Sequence, residues 1–312
     1  MSIRAAVIDN AAWAGAQPLM SVLTPFLRDD PTELLTVLDS EAGLLNGRAE
    51  VVLLDDGTGD PALTARVTEL VKAMALPVRL ITLVANEGRS IGRNRLAAAA
   101  RGGSLLFLDS DMRPDRPAFL RRWVELVERE APAVAFGGFS LLQAPTDRRF
   151  AVHRSIAAKS ECVPPDERSK QPEKYVYTSN LLVRRDVFET EAFDPGFSGW
   201  GWEDVEWAMR VSRRFHVDHV DNPATHMGLD TVPALARKYE QSAPNFARMA
   251  QRHPDTVSAW PSYRAAQALK RLPGLGWLRG GMRSAAEAGW LPVPARAFSL
   301  RLYRAALYAE AV

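Results

Sequence analysis

Leu105-Leu106-Phe107-Leu108-Asp109-Ser110-Asp111 is an unbroken apolar run that ends in two acids. Four consecutive large apolar residues leave no polar face, so the run predicts a strand buried on both sides. Strands of this kind belong to parallel sheets covered by helices, whose ligands sit beyond the strands' carboxyl ends. Asp109 and Asp111 stand at that point. Two acids at i and i+2 can flank a divalent cation carrying phosphate oxygens, because Mg²⁺ and Mn²⁺ prefer hard oxygen ligands. The same residues would equally serve a turn in which Asp111 or Asp115 caps the next helix.

Working outward, Val51–Leu54 predicts a second buried strand, closed by Asp55-Asp56-Gly57. Ser21–Pro25 predicts a strand ended by a proline that cannot donate to a ladder. Leu63, Val67, Leu70, Val71 and Met74 fall at helical spacing, Val78–Val84 reads as a strand, and Ser90–Arg101 as a helix stopped by Gly102-Gly103. Leu120, Trp123, Val124 and Val127 mark a further helix. Ile3, Ala5 and Val7 alternate as an extra strand at the start. Past residue 133 the alternation fails. Val134–Phe139 and Tyr177–Val183 read as strands, with a polar loop containing Pro164, Pro165 and Pro172 between them. Residues 203–214, 232–251 and the tail read as helical. The fold class is α/β, a mostly parallel mixed sheet flanked by helices with a helical C-terminal extension. The boundaries expected are 1–230 for the main domain, with halves at about 20–130 and 131–230, and 231–312 for the extension.

Composition excludes several classes. In 312 residues, 47% are hydrophobic and 24% charged, which is globular and argues against disorder or a coiled coil. The single cysteine, Cys162, rules out an intrachain disulfide and a multi-cysteine zinc site. No apolar run approaches the roughly 18–20 residues that span a bilayer. The start reads as no signal peptide. Although the pI is about 8.8, no nucleic-acid motif accompanies it, so no nucleic-acid partner is expected. The Gly-x-Gly-x-x-Gly, P-loop, Gly-x-Ser-x-Gly and His-Glu-x-x-His patterns are all missing from the sequence.

Gly199-Trp200-Gly201-Trp202-Glu203-Asp204 is the second constellation. Its glycines permit close approach of two indoles, whose flat faces suit the C–H faces of sugars. Adjacent carboxylates at a helix start are favoured as anions, and one beside an aromatic platform is well placed as a general base. A packed aromatic corner with acidic helix-start residues is the alternative. His226 matters as a metal partner of Asp111, and is otherwise an ordinary structural histidine. Arg93 could meet a phosphate near a helix start or simply be solvated.

The order of motifs is more specific than any one of them. Thr24-Pro25-Phe26, Val52 to Asp60, Asn86-Glu87-Gly88 with Gly92-Arg93-Asn94, Phe107 to Asp111, and Gly201 to Glu206 follow one another. This succession, over roughly residues 20–230, resembles the family-two nucleotide-sugar glycosyltransferases of the GT-A fold. The Trp-Gly-Trp-Glu-Asp stretch also resembles the acceptor segment of chondroitin-polymerase and galactosyltransferase-type enzymes. The resemblance implies that Thr24, Pro25 and Asp56 hold the nucleotide base, with Arg93 near the nucleotide and Asp109 with Ser110 on the donor. It implies Asp111 and His226 as ligands of Mn²⁺ or Mg²⁺, and Asp204 as catalytic base. Glu203, Trp200, Trp202 and, less specifically, Asn180 would hold the acceptor. Leu27 departs from the family pattern, where Asn or Glu is common after Pro-Phe. The implied activity is metal-dependent, inverting transfer from a nucleoside-diphosphate sugar, UDP-sugar favoured, to a hydroxyl of a glycan or lipid-linked glycan in polysaccharide synthesis. A sugar nucleotidyltransferase and a catalytically idle carbohydrate- or nucleotide-binding subunit are the alternatives. The first should carry a Gly-rich loop with Arg that residues 21–35 lack.

Residues 261–312 hold eight basic and two acidic side chains, a local charge of +6 that leaves −4 for the remainder. Leu269, Leu272, Leu275, Trp277, Leu278 and Met282 lie among those cations. Such a mixture suits an anionic membrane surface, and equally a cover over the main domain or a dimer contact. A cytoplasmic protein peripheral on the inner face of the membrane is the expectation from the first of these.

Overall fold

Alternation of buried strands with amphipathic helices builds the first half of the chain. The computed structural model describes residues 5–312. Its strands are β1 (Ala5–Asp9), β2 (Met20–Phe26), β3 (Ala49–Asp55), β4 (Val78–Leu83), β5 (Ser104–Leu108), β6 (Met112–Pro114), β7 (Val134–Phe136), β8 (Phe139–Ser140), β9 (Asn180–Arg184), β10 (Val217–His219) and β11 (Ala224–His226). The helices are α1 (Thr32–Asp39), α2 (Ala42–Leu45), α3 (Pro61–Ala73), α4 (Arg89–Ala99), α5 (Phe119–Glu130), α6 (Ala151–Ser160), α7 (Pro165–Arg168), α8 (Arg185–Thr190), α9 (Glu203–Val211), α10 (Val232–Arg252), α11 (Pro254–Val257), α12 (Pro261–Lys270), α13 (Leu275–Glu287) and α14 (Val293–Ala311).

Eight strands form the main sheet in the order β1-β4-β3-β2-β5-β9-β7-β10, and β6-β11-β8 form a small second sheet. β4, β3, β2 and β5 run parallel, while β9 and β1 run antiparallel to their neighbours. The parallel carboxyl ends share one rim, and the reversed β9 brings its first residue, Asn180, opposite Leu108 on that rim. Period-two alternation sorts side chains between two cores: Leu106 and Leu108 pack with α1, α3 and α5, Leu105 and Phe107 with α4, α8 and α9. A third core joins Val152 and Ile156 of α6, Phe197, and Met209 of α9 to α10, α12 and α14, with Trp200 and Trp202 packed against it.

Several boundaries differ from those read in the sequence. β2 continues through Pro25 to Phe26. Its ladder with β5 ends at Leu23, so the proline falls where β2 has a neighbour on one side only. The strand expected from Tyr177 begins at Asn180, because pairing with β5 starts at Leu108. The run 134–139 divides between two sheets, broken at Gly137-Gly138, where Gly138 has φ +100°. The polar loop after it contains α6. α9 stops at Val211, and the α1–α2 pair went unpredicted. The alternating start forms β1 from Ala5, while Ile3 lies outside the described residues. No helix among the described residues is long and apolar enough to cross a membrane.

Phe246 on α10 is fully buried and stacks on Tyr308 of α14 at 4.2 Å between ring centroids. Phe246→Ala should cost about 3–5 kcal/mol in denaturant unfolding. An unchanged stability would show that α14 is not part of the cooperative core.

Candidate active site

The rim loops are built from acids that bind backbone. Asp55 accepts from the Thr58 amide at 2.8 Å and the Thr64 hydroxyl at 3.2 Å, shaping the turn after β3. Asp56 accepts from the Glu87 amide (2.8 Å), the Asn86 side-chain amide (2.8 Å) and the Gly88 amide (3.2 Å). It thereby fastens the loop before α4, and burial pushes its carboxyl above the ordinary range. Gly57 has φ +79°, and a Cβ there would meet Ala85 backbone at 2.4 Å, so only glycine lets the two loops touch. Pro25 is half-buried beside this turn, whereas Thr24 is sealed in the sheet with a hydroxyl that has no partner.

Arg93 is the centre of the rim. It is buried on α4, and its two terminal nitrogens donate to Asp109 Oδ1 (3.0 Å) and Glu203 Oε1 (3.2 Å). Burial opposes its charge, yet the carboxylates of Asp109, Glu203 and Asp204 raise its pKa overall. Asp109 also accepts from the Ser179 hydroxyl at 2.7 Å. Residues 93, 109, 179 and 203, far apart in the chain, thus form one network. Ser110 is half-buried between the two acids.

Asp111 and His226 meet across β6 and β11, with Oδ2 and Nε2 3.2 Å apart. Burial works against both charges, but each holds the other: His226 is pushed up to about 9 and Asp111 lies below its ordinary value. A Cβ at Gly228 would fall 1.9 Å from Asp111 Oδ2, so the cradle for this carboxylate requires glycine. His153 on α6 and Glu161 just after it come to the same place. His153, Glu161 and His226 each bring one ligand atom within 4.8 Å of the others. Burial pushes His153 down to about 4, leaving it neutral, and its Nδ1 accepts from the Asp230 amide at 2.7 Å. Sequence reading missed His153 and Glu161. No signal in a proline-rich loop marks them, and their proximity to His226 arises from tertiary packing.

The acceptor segment divides by role. Glu203 is buried on Arg93, and Asn180 is fully buried, donating to the Gly138 and Asn222 carbonyls. Gly199 and Gly201 take positive φ, and so does Trp202 at +78°, a strained choice for a bulky residue. That strain is held by the Trp202 Nε1–H bond to Tyr308 Oη (3.1 Å), by stacking on Trp260 at 5.8 Å, and by Asn245 on the Ser198 and Gly201 carbonyls. Both indoles are half-buried against the third core but have different partners: Trp202 bonds to Tyr308, while Trp200 lies 6.1 Å from Tyr239. Asp204 is half-buried. One oxygen accepts from the Val205 amide at 2.8 Å, and no side chain among the described residues bonds to its carboxylate. Burial, then Glu203, pushes its pKa up to about 7.

Residues 21–191, more than half of the chain, match glycosyl transferase family 2. The chain belongs to that family. It is a glycosyltransferase, and this membership sets aside the nucleotidyltransferase and idle-subunit alternatives. No match was found among curated proteins. The mannosyltransferase PcManGT from Pyrobaculum calidifontis, solved with GDP-Man and Mn²⁺, is similar in structure at TM-score 0.59 and 15% identity, over 96% of this chain and 88% of that one. S. aureus TarS 1–349 with UDP is similar at TM-score 0.51 and 13% identity, over 93% and 89%. Glucosyl-3-phosphoglycerate synthase from Mycobacterium tuberculosis with phosphoglyceric acid is similar at TM-score 0.50 and 20% identity, over 78% and 82%. At such identities these likenesses establish the GT-A fold for this family 2 chain.

The Asp111–His226 contact yields a direct test. Gly228→Ala should displace Asp111, and the His226 titration followed by NMR in EDTA should fall from about 9 toward the ordinary 6.5. A midpoint still near 9 would show that the cradle does not hold the pair.

Proposed function

We propose that this family 2 enzyme is a metal-dependent inverting glycosyltransferase that uses a nucleoside-diphosphate sugar, UDP-sugar favoured. Its acceptor would be a hydroxyl of a glycan or lipid-linked glycan in polysaccharide synthesis. The observation that carries the reading is the convergence on one rim of the Asp111–His226 pair and Asp204, whose near neighbours in the chain, Asp109 and Glu203, share Arg93. GDP-Man with Mn²⁺ in one fold neighbour and UDP in another support the choice of donor.

Asp111 and His226 would hold Mn²⁺ or Mg²⁺. Ligand atoms 3.2 Å apart fit one edge of a coordination shell, since bonds of about 2.1 Å at right angles place donors about 3 Å apart. Bound there, the cation would supply charge neutralisation for the leaving diphosphate. Pro25, Asp56 and the loop it fastens would frame the base, with Thr24 supporting them from beneath. Asp109 and Ser110 would face ribose or sugar, held by Arg93 and Ser179. Trp200 would offer the acceptor platform. Trp202, Glu203 and Asn180 would act by positioning, since they are committed to Tyr308, Arg93 and backbone carbonyls. The likeness to chondroitin-polymerase-type acceptor segments then concerns Trp200 and Asp204. Asp204 takes the acceptor hydroxyl proton as the acceptor oxygen bonds to the anomeric carbon. The bond from that carbon to the diphosphate oxygen breaks on the opposite side, inverting the centre. Residues 1–230 would form the catalytic domain, and residues 231–312 the extension that braces it.

Asp111→Asn should abolish measurable Mn²⁺ binding in calorimetry and collapse transfer, as EDTA should in the wild type. Full activity of the variant in EDTA would exclude the metal. Asp204→Asn should lower kcat about 10²–10⁴-fold with nucleotide binding intact. Because the base works deprotonated, wild-type kcat/KM should fall as pH drops below about 7, and that limb should vanish in the variant. Normal turnover of Asp204→Asn would remove it from the role.

The extension also supports membrane contact. Trp277 is 91% and Trp290 84% exposed, and Leu272, Leu278 and Phe298 are exposed near them in the chain. Arg264, Arg271 and Arg301 are exposed without acidic partners among the described residues. Indoles and cations together fit the interface of an anionic bilayer. The protein should float with phosphatidylserine vesicles at low salt and not with phosphatidylcholine vesicles. Trp277→Ala with Trp290→Ala should abolish flotation, and equal behaviour on both vesicles would refute the contact.

A further inference from the structure

Arg304 on α14 is unlike the other half-buried arginines. Arg95, Arg210 and Arg248 hold carboxylates, and Arg154, Arg185 and Arg296 hold carbonyls. The Arg304 guanidinium has no hydrogen-bond or ion-pair partner among the described residues. It lies 5.2 Å from the Tyr239 ring centroid and 6.0 Å from that of Tyr308. Its nitrogens are not among the fully buried polar atoms that lack a partner, so this half-buried guanidinium stays open to a ligand, and the aromatic faces beside it offer no hydrogen-bond acceptor.

Its surroundings are the acceptor side. Tyr308 accepts from Trp202, which opens α9 just before Glu203 and Asp204. Tyr239 lies 6.1 Å from Trp200, and Lys238 stands 5.9 Å over the same indole while paired with Asp230 at 2.6 Å. Glu161 forms no ion pair with Arg304. A planar cation is therefore held against the buried Tyr239 and Tyr308 rings, which in turn touch Trp200 and Trp202, with its donors unused. Such a fork matches the paired oxygens of a phosphate or carboxylate.

We propose that Arg304 binds an anionic group, a phosphate or carboxylate, on the acceptor, so that the acceptor is an acidic glycan or sugar phosphate. The proposal rests on Asp204 marking the acceptor side. Its test is calorimetric titration of the full chain with glucose, glucose 6-phosphate and glucuronate, each with and without saturating UDP and Mn²⁺. At least one anionic sugar should bind roughly 10–100-fold more tightly than glucose. Arg304→Gln should erase that preference, Arg304→Lys should keep part of it, and UDP affinity should be unchanged in both. Equal binding of all three sugars by the wild type would overturn the proposal, and so would an undiminished preference in Arg304→Gln. A parallel loss of UDP affinity would place the guanidinium on the donor diphosphate and overturn it as well. If Arg304→Gln does not fold, the wild-type preference and Arg304→Lys decide. A wild type that fails to bind UDP strikes the donor reading alone, because the sugars are also titrated without nucleotide.

Discussion

One buried guanidinium holds the two sides of this site in register. Arg93 reaches Asp109 at the end of β5 and Glu203 at the start of α9, segments separated by more than ninety residues. Each partner depends on it. Without Arg93, Glu203 would be a buried carboxylate left with a distant Arg89 at 3.8 Å, and losing one member of a buried pair costs about 3–5 kcal/mol. Asp204 follows Glu203 on the same helix turn, so the pair that anchors α9 also sets where the candidate base stands. Glu203 raises the Asp204 pKa by repulsion while Arg93 lowers it, so the same contact tunes its basicity.

Much of this was legible in the sequence because it is local. The two-sided burial of Leu105–Leu108, the acids after the strands, and the helix beginning at Glu203 follow from period and end signals. The positions of Asp56 and Asp111 after strand ends follow from the same reading, whereas His226 is singled out only through the family resemblance. What local pattern does not encode is the direction of a side chain. Thr24 and Asn180 lie at the rim but point into the sheet, and Trp202 turns toward α14 while Trp200 does not. Likewise His153 and Glu161 reach His226 through the packing of α6, whose amphipathic signal is too weak to stand out among prolines.

The C-terminal helices change the meaning of the acceptor segment. Gly199 to Asp204 has three residues in positive φ, and such a segment keeps one conformation only when its surroundings over-determine it. Tyr308, Trp260, Phe246 and Asn245 do so, and all come from beyond residue 231. The family match ends at residue 191, so the wall on which the acceptor would lie is built by the part of this chain outside the match. Specificity for the acceptor is expected to reside there, on rigid helices, and the donor rim to be the shared part.

The central claim is a single displacement in which Asp204 deprotonates the attacking oxygen, with no covalent sugar–enzyme stage. The measurement that bears on it most directly is ¹H NMR of the anomeric centre of sugar newly transferred, or released to water, from UDP-α-glucose or GDP-α-mannose, read before mutarotation. The account predicts the β anomer from either donor. An α product would mean retention and would contradict it.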